Sequence, residues 1–482
     1  MPMHDILTTE APHPAGAALR GERVLFTICS KNYLPQARIL VRSVREQMPD
    51  APVRVILSDE AEDLGRIAEY VGAEVIPGRA LGLPTYYDMA MRYDIVEFNT
   101  ALKPAAFLHF FAQEARTAVY LDPDIELFRP LTEVDAAFEA GAQGVITPHI
   151  CEPLDMVHNP TELKIMRTGI YNLGFAGIAN TEEGVSFTRW WARKMLSDCR
   201  VDLDAGIFVD QKYVDLMPSY LPRTKILRHR GYNVAYWNLA NRALTREGDG
   251  SFAVNGQPLV FMHFSGVRPE KEDIISVHQD RVSVDDLGDG KALFDNYRAE
   301  LKRAREEMAE AGIEKSYAYG SFTTGEAIPP LARQVYAKAI PPMRVSFDDV
   351  FDLEKGPFNQ GATGINHRNQ RLISPVMADL WMRKPYLQVA FNIRDPEEAK
   401  AYALWFAETG FREWNIPPAF IPKEAWELNR QRKTFRSRMA VFALQALERG
   451  KWFKFMYPKP VRRAAVRINR KVLPHLVKRI GS

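Results

Sequence analysis

The N-terminal half of the chain alternates two hydrophobic patterns. Short apolar runs of strand length occur at VLFTIC (24–29), VRVILS (53–58), AEVIP (73–77), AVYL (118–121) and GVITP (144–148). Runs with so little polar alternation read as strands buried on both faces. Helix-like stretches separate them. In 34–47, Leu34, Ile39, Leu40 and Val44 share one face, and 61–71 also has helical spacing. Asn99 and Thr100 are expected to cap a helix over 104–112, with Pro104 in its first turn. This alternation predicts an α/β fold with a parallel or mixed sheet covered by helices.

The pattern changes after about residue 270. A charged helical stretch spans 290–312, and 313–375 is rich in Gly, Pro, Asn and Phe with weak periodicity. Residues 376–430 read as mostly helical, with Trp381, Trp405, Trp414 and Trp426 as packing anchors. Beyond them, Phe435, Met439 and Phe442 begin one apolar helical stripe. Val461, Ala465, Ile468, Val472 and Leu476 make a second. The expected organisation is a Pro/Ala-rich leader (1–22), an α/β domain (23–270), a mostly helical accessory region (271–430) and a basic amphipathic tail (431–482).

Charge sharpens the division. The net charge of +3 hides an asymmetry: residues 423–482 hold 17 Lys or Arg against three Glu, and the other 422 residues balance at −11. A basic tail with aromatics interleaved at KWFKFMYPKP predicts docking on an anionic bilayer. No nucleic-acid recognition motif accompanies the charge. The first 20 residues lack an apolar signal-peptide core, and no run approaches the roughly 20 apolar residues that cross a bilayer. Three widely spaced cysteines, Cys29, Cys151 and Cys199, form no zinc or disulfide pattern. The expected location is cytoplasmic, peripheral on the inner face of the cytoplasmic membrane.

The candidate chemistry starts at Asp122-Pro123-Asp124, which follows the apolar run 118–121 directly. Two carboxylates at the end of a buried strand are costly unless something compensates them. A hard divalent cation, manganese or magnesium, does so, and its expected task is to hold a diphosphate. The carboxyl ends of strands are where open α/β sheets bind ligands. A solvated turn is the alternative reading. A second Asp-x-Asp, Asp202 and Asp204, has no apolar strand before it and is expected on a loop. Four later segments join the first pair: YNLGFAGI (171–178), FVDQKYVDLMP (208–218), GYNVAYWN (231–238) and FMHFSGVRP (261–269).

This ordered set, strand with Asp-x-Asp, then Asn-x-Gly, Asp-Gln and a His–Gly–basic–Pro segment, resembles the retaining glycosyltransferases of family 8 over residues 23–270. Arg268 stands where that family usually has Lys, and no Trp follows Pro269; Arg still offers a planar fork to phosphate. The resemblance implies a glycosyltransferase A-type, Rossmann-like mixed sheet. It implies that Asp122, Asp124 and His263 hold Mn2+ or Mg2+ against the diphosphate of a nucleotide-sugar, most often a UDP-sugar. Thr27, Cys29 and Asp59 would line the nucleoside pocket. Lys103 would reach the diphosphate and sugar, Asn172, Asp210 and Gln211 would contact the donor sugar, and Arg268 would neutralise the leaving phosphates. Lys103, Asp210 and Gln211 are the implied catalytic residues.

Blander readings stand beside these. Asn172 is also a turn residue before Gly174, Asp210 a helix N-cap, Lys103 a solvated residue before a helix, and Cys29 a small core residue. Tyr232, Tyr236 and Trp237 either stack on an acceptor sugar or pack in the core. The leading expectation is a hexosyltransferase acting on a glycan or polyprenyl-linked acceptor in surface polysaccharide or lipopolysaccharide synthesis, with retention. A sugar nucleotidyltransferase is one rival, although VLFTICSKNYLP lacks the Gly-rich loop of that class. A non-catalytic, membrane-associated glycan-binding or assembly module is the other.

Overall fold

In a computed structural model, the described residues are 21–432, apart from 354–355, 360, 363–364 and 366–368. The leader and the basic tail expected from the sequence thus lie almost wholly outside the described residues. The apolar runs are strands of one sheet: β1 (Arg23–Cys29), β2 (Val53–Leu57), β3 (Glu74–Pro77), β4 (Thr117–Leu121) and β6 (Gly144–Pro148). β5 (Ile125–Leu127) lies outside that sheet, and β7 (Tyr171–Ala179) inside it. The short strands β8 (Val201–Asp202) and β9 (Ile207–Phe208) form a hairpin, and β10 (Thr224–Ile226) edges the main sheet. β11 (Leu244–Arg246), β12 (Phe252–Val254) and β13 (Gln257–Pro258) form a small antiparallel sheet, and β14 (Phe261–His263) pairs with β5.

The main sheet runs β10-β6-β7-β4-β1-β2-β3. Only β7 opposes its neighbours, pairing antiparallel with β4 and β6, so the sheet is mixed as predicted. Its reversal brings its first residues to the edge where β1, β2, β4 and β6 end. Side-chain alternation divides β1 between two cores. Phe26 meets Phe107 edge-on at 4.9 Å on one face, while Leu25 and Cys29 join Leu34, Leu40 and Val44 on the other. Each such buried Phe or Leu contributes roughly 2 kcal/mol. Because both faces are covered, the strands show no polar alternation.

One local expectation is corrected. Asn99 and Thr100 are not caps but lie inside a helix, Ile95–Ala101. Asp94 caps that helix, accepting from the amides of Val96 and Glu97 in a capping box. Asn99 and Thr100 bond back to the carbonyls of Ile95 and Val96, as short polar side chains do inside helices. The next helix, Lys103–Ala112, starts without a side-chain cap, with Pro104 in its first turn.

After β14 the chain turns helical. Helix Lys291–Glu310 packs along helix Leu34–Gln47, and Tyr297 stacks on Phe264 at 3.9 Å. The weakly periodic stretch contains helices Pro330–Ala339 and Phe347–Phe351, and Pro375–Arg383 and Pro396–Trp405 follow. The four tryptophans expected as anchors are partly buried against the core. Buried Arg333 donates to the carbonyls of Ala90, Met91 and Tyr93, and Arg92 donates to those of Ala337 and Ile340. The two regions are thus laced through main-chain acceptors. Among the described residues, no helix is long and apolar enough to cross a membrane.

Candidate active site

Register assembles the first three residues. β4 ends at Leu121 opposite Phe175 of β7, and the next amide, Asp122, donates to Gly174 O at 2.7 Å. β5 begins one residue after Asp124 and pairs Ile125 with His263 at the end of β14. Phe264 N then donates to Asp124 O at 2.9 Å. Two segments about 140 residues apart in the chain are therefore zipped so that His263 faces both carboxylates. Its Nε2 lies 3.0 Å from Asp124 Oδ1 and 3.5 Å from Asp122 Oδ2.

Those three side chains fit a divalent ion. One ligand atom from each lies within 4.8 Å of the other two. Neighbouring ligands around an ion bound at about 2.1 Å sit roughly 3 Å apart, which the histidine contacts match. The two carboxylates suit manganese or magnesium, the imidazole favours the transition metal of the two, and three protein ligands leave positions for phosphate oxygens. Burial pushes the His263 imidazole down, but Asp124 and Asp122 outweigh it and hold it above the usual range. Gly174 is required beside it: a Cβ there would fall 2.3 Å from His263 Cε1 and 2.6 Å from Nδ1.

Lys103 and Asp210 form the second element. Lys103 opens its helix and is 2% exposed. Its ammonium sits 3.0 Å from Asp210 Oδ2, 3.0 Å from Leu173 O and 4.0 Å from Asp122 Oδ1, with the Tyr120 ring at 4.5 Å. Burial alone would lower its pKa, yet Asp210 and Asp122 raise it overall, so it stays charged. Asp210 stands at the N-terminal end of helix Gln211–Val214 but makes no cap hydrogen bond; its carboxylate goes to Lys103. Tyr120 donates to Asp122 Oδ1 at 2.5 Å, so the strand that delivers the carboxylate also orients it.

The third element is an amide network. Gln211 Oε1 accepts from Leu173 N at 3.0 Å, and its Nε2 donates to Thr168 O at 2.9 Å. Asn172 Oδ1 accepts from Gly174 N and Asn233 Nδ2, and its own Nδ2 meets His149 Nε2 at 3.2 Å. Asn172 and Gln211 are each 7% exposed, and both lie beside Lys103 and Asp122 through Leu173 and Gly174.

The remaining predicted residues are more scattered. Thr27 is fully buried within β1, its hydroxyl without a partner. Cys29 closes β1, and burial pushes its thiol up to about 12, which makes it inert as a nucleophile. Asp59 follows β2 and accepts from Ala318 N at 2.8 Å and Glu60 N at 3.0 Å. The accessory region thus reaches the edge of β2, which the sequence did not signal. Arg268 is exposed, and its side chain makes no hydrogen bond or ion pair with another described residue. Tyr232 and Trp237 are packed, Tyr232 donating to Glu133, while Tyr236 is half-buried. Asp202 and Asp204 sit on the β8–β9 hairpin, apart from the site.

One site residue, His149, escaped sequence reading, and a second, Trp237, was read only as an acceptor-stacking or core aromatic. His149 follows β6 as Asp122 follows β4, and Trp237 lies between imidazoles, its ring 5.1 Å from those of His149 and His263. The position of His149 after a strand-ending Pro148 was an available signal; nothing in the sequence placed Trp237 between two imidazoles.

No family model matches the chain. Two uncharacterised proteins of Bacillus subtilis (strain 168) are similar to it: YfnF, 24% identical over 52% of this chain and 82% of its own, and YfnD, 25% identical over 59% and 90%. Among solved structures, it aligns with the galactosyltransferase LgtC in complex with donor and acceptor sugar analogues at 14% identity, covering 60% of this chain and 99% of that one, TM-score 0.40. It also aligns with the glycosyltransferase GlyE of Streptococcus pneumoniae TIGR4 (13%, covering 62% and 67%, TM-score 0.35) and mouse xyloside xylosyltransferase 1 (14%, covering 50% and 97%, TM-score 0.32).

Proposed function

We propose that the chain is a metal-dependent glycosyltransferase that moves a sugar, most simply a hexose, from a nucleotide-diphosphate donor, a UDP-sugar by preference, to a glycan or lipid-linked acceptor. One observation carries the reading: Asp122, Asp124 and His263 converge at the carboxyl edge of a mixed sheet, with the charged Lys103–Asp210 pair beside them. Breaking a bond from an anomeric carbon to a diphosphate releases negative charge on oxygen. A bound ion would supply Lewis-acid stabilisation of that charge. Lys103, fixed and desolvated, adds a cation that need not reorganise as charge develops. Arg268, exposed and without an ion pair among the described residues, can meet phosphate with its fork.

The sugar side is lined by oxygens. Gln211 and Asp210 can face a carbon that becomes oxocarbenium-like, and an amide oxygen is too poor a nucleophile for Gln211 to form a lasting covalent bond. Asp210, the buried carboxylate on this side, is committed to Lys103 and so is not free to act as a strong base. That favours a route in which the departing phosphate takes the acceptor proton, with retention. Thr27, Cys29 and Asp59 would face the nucleoside at the β1–β2 side. Synthesis of surface polysaccharide or lipopolysaccharide at the inner face of the membrane is the setting this reading favours.

The test is a donor panel with manganese, read as released nucleoside diphosphate, with Asp124→Asn as control. Release that needs metal and is lost in the variant supports the proposal. Pyrophosphate chemistry instead would make the chain a nucleotidyltransferase. Absence of turnover with every donor, alongside intact folding, would leave a binding module.

A further inference from the structure

Just past His149, where β6 leaves the sheet, the chain folds over a cavity of about 200 Å³. Its wall includes Cys151, Glu152, Arg228, Arg230, Asn238 and Arg242. Three guanidiniums meet one carboxylate. Arg230 is paired with Glu152. Arg242 is only 6% exposed and donates to Tyr232 O at 2.7 Å. Burial pulls its guanidinium down to about 10, and Cys151 and Glu152 restore only part. Arg228 makes no hydrogen bond or ion pair with another described residue. The cavity therefore carries uncompensated positive charge, part of it desolvated.

Its place follows from the sheet order. Asp59 follows β2, the carboxylate–histidine cluster sits at the end of β4, and Asn172 lies on β7. β6 is the next strand outward, so the cavity lies past β7 from the carboxylate–histidine cluster. Asn238 fixes this proximity, donating to the carbonyls of His149 and Asn233 at 3.0 Å each. The adjacent Trp237 ring abuts His263. The volume is below the roughly 300 Å³ at which pockets for whole small molecules begin. It suits one charged group on a larger ligand, and planar guanidinium forks match carboxylate and phosphate oxygens.

We propose that this cavity is an anion site that receives a carboxylate or phosphate of the acceptor, so that the enzyme selects acidic acceptors over neutral ones. Its assignment to the acceptor rests on the glycosyl-transfer reading; the anion site itself does not.

Cys151 reports on the cavity, because it lies in the wall and is exposed, whereas Cys29 and Cys199 are buried. The full chain is stripped of metal with EDTA, which is dialysed away because its carboxylates would compete for the site, and then treated with iodoacetamide; alkylation of Cys151 is followed by peptide mass spectrometry. Glucuronate and glucose 1-phosphate are the anionic probes, and methyl glucoside is the neutral one. A saturating anionic probe is expected to slow alkylation by roughly tenfold, since both access and local positive charge fall. Methyl glucoside should leave the rate unchanged. The stronger of the two anionic protectors identifies the group the site prefers. Arg228→Gln and the double variant with Arg230→Gln should abolish protection while keeping the wild-type melting curve. Arg228→Gln removes an exposed, unpaired side chain, so it keeps the test open if the double variant unfolds. Protection by the neutral sugar, no protection by either anion, or undiminished protection in Arg228→Gln overturns the site. Failure of wild-type donor cleavage would instead remove the transferase reading and leave the alkylation result standing.

Discussion

The chain contains the same three-residue pattern twice, and the two copies have different surroundings. Asp122 and Asp124 end a fully buried strand, and their side chains are 27% and 14% exposed. Asp202 and Asp204 lie on a two-residue-strand hairpin at 39% and 100% exposure, each beside one arginine, Arg200 or Arg167. The first copy faces a histidine delivered by a partner strand; the second faces water. What makes an acidic pair a ligand set is the buried strand before it and the backbone pairing that brings a third donor. The spacing alone carries little.

The sharpest way to break this comparison is to neutralise one carboxylate in each copy. Asp124→Asn is expected to lower metal-dependent donor cleavage by roughly a hundredfold or more, since loss of a direct ligand should exceed the 10–100-fold cost of losing a supporting contact. Asp204→Asn should change it by less than about twofold, because screened surface pairs contribute little. Manganese titration by calorimetry gives a second readout. Equal losses in the two variants would refute the reading of position over spacing.

Breaking the buried ion pair comes next. Lys103→Met leaves Asp210 without its cation at 1% side-chain exposure. Removing one partner of a buried pair costs about 3–5 kcal/mol. A large fall in urea midpoint with little change in slope is therefore expected. Lys212→Met, whose partner Asp215 is 13% exposed near the second copy, should cost under about 1 kcal/mol. If the two cost the same, Lys103 is as solvated as the blandest sequence reading allowed.

Two glycines sharpen the contrast sterically. Gly174→Ala would drive a methyl into the His263 ring and to 2.8 Å from Asn172 Oδ1. An overpacking cost of about 1–3 kcal/mol is expected, with weakened manganese binding. Gly206, in the β8–β9 hairpin, has φ +72 and open space around it. Gly206→Ala should cost only the backbone penalty, about 1 kcal/mol, and leave metal affinity alone.

These contrasts also mark what was legible in the sequence. Five strands were readable because burial on both faces writes an unbroken apolar run. The pair Asp122–Asp124 was readable for the same reason: acids ending such a run are conspicuous. β5 and β14 were not readable, since three-residue strands gain their stability from each other across about 140 residues. The helices Tyr86–Arg92 and Pro330–Ala339 were missed because tertiary contacts support them, notably the donation of Arg333 to Ala90, Met91 and Tyr93. The cap was misplaced at Asn99 and Thr100 because both residue types serve caps and helix interiors alike, and only the neighbouring Asp94–Glu97 box decides. Lys103 and Asp210 entered through family resemblance; nothing in their local sequence announces that they meet.

The rule that surroundings outrank residue type extends to two histidines flanking Trp237, and it has a pH signature. His263 is held above the usual imidazole range by its two carboxylates, so the stability its charge confers is present in acid and lost as pH rises through its folded pKa. His149 is opposite. Burial lowers it to about 4, so it stays neutral when folded while the unfolded chain takes a proton below about 6.5. Between those values the unfolded state binds more protons, and stability falls with falling pH, by up to roughly 3 kcal/mol for this group. His149→Gln keeps a donor and an acceptor for Asn172 without a titrating ring. Its urea midpoint should decline less steeply than the wild type's between pH 6.5 and about 4. Parallel acid limbs in the two proteins would show that the His149 ring is hydrated, and that its place beside Trp237 does not set its charge.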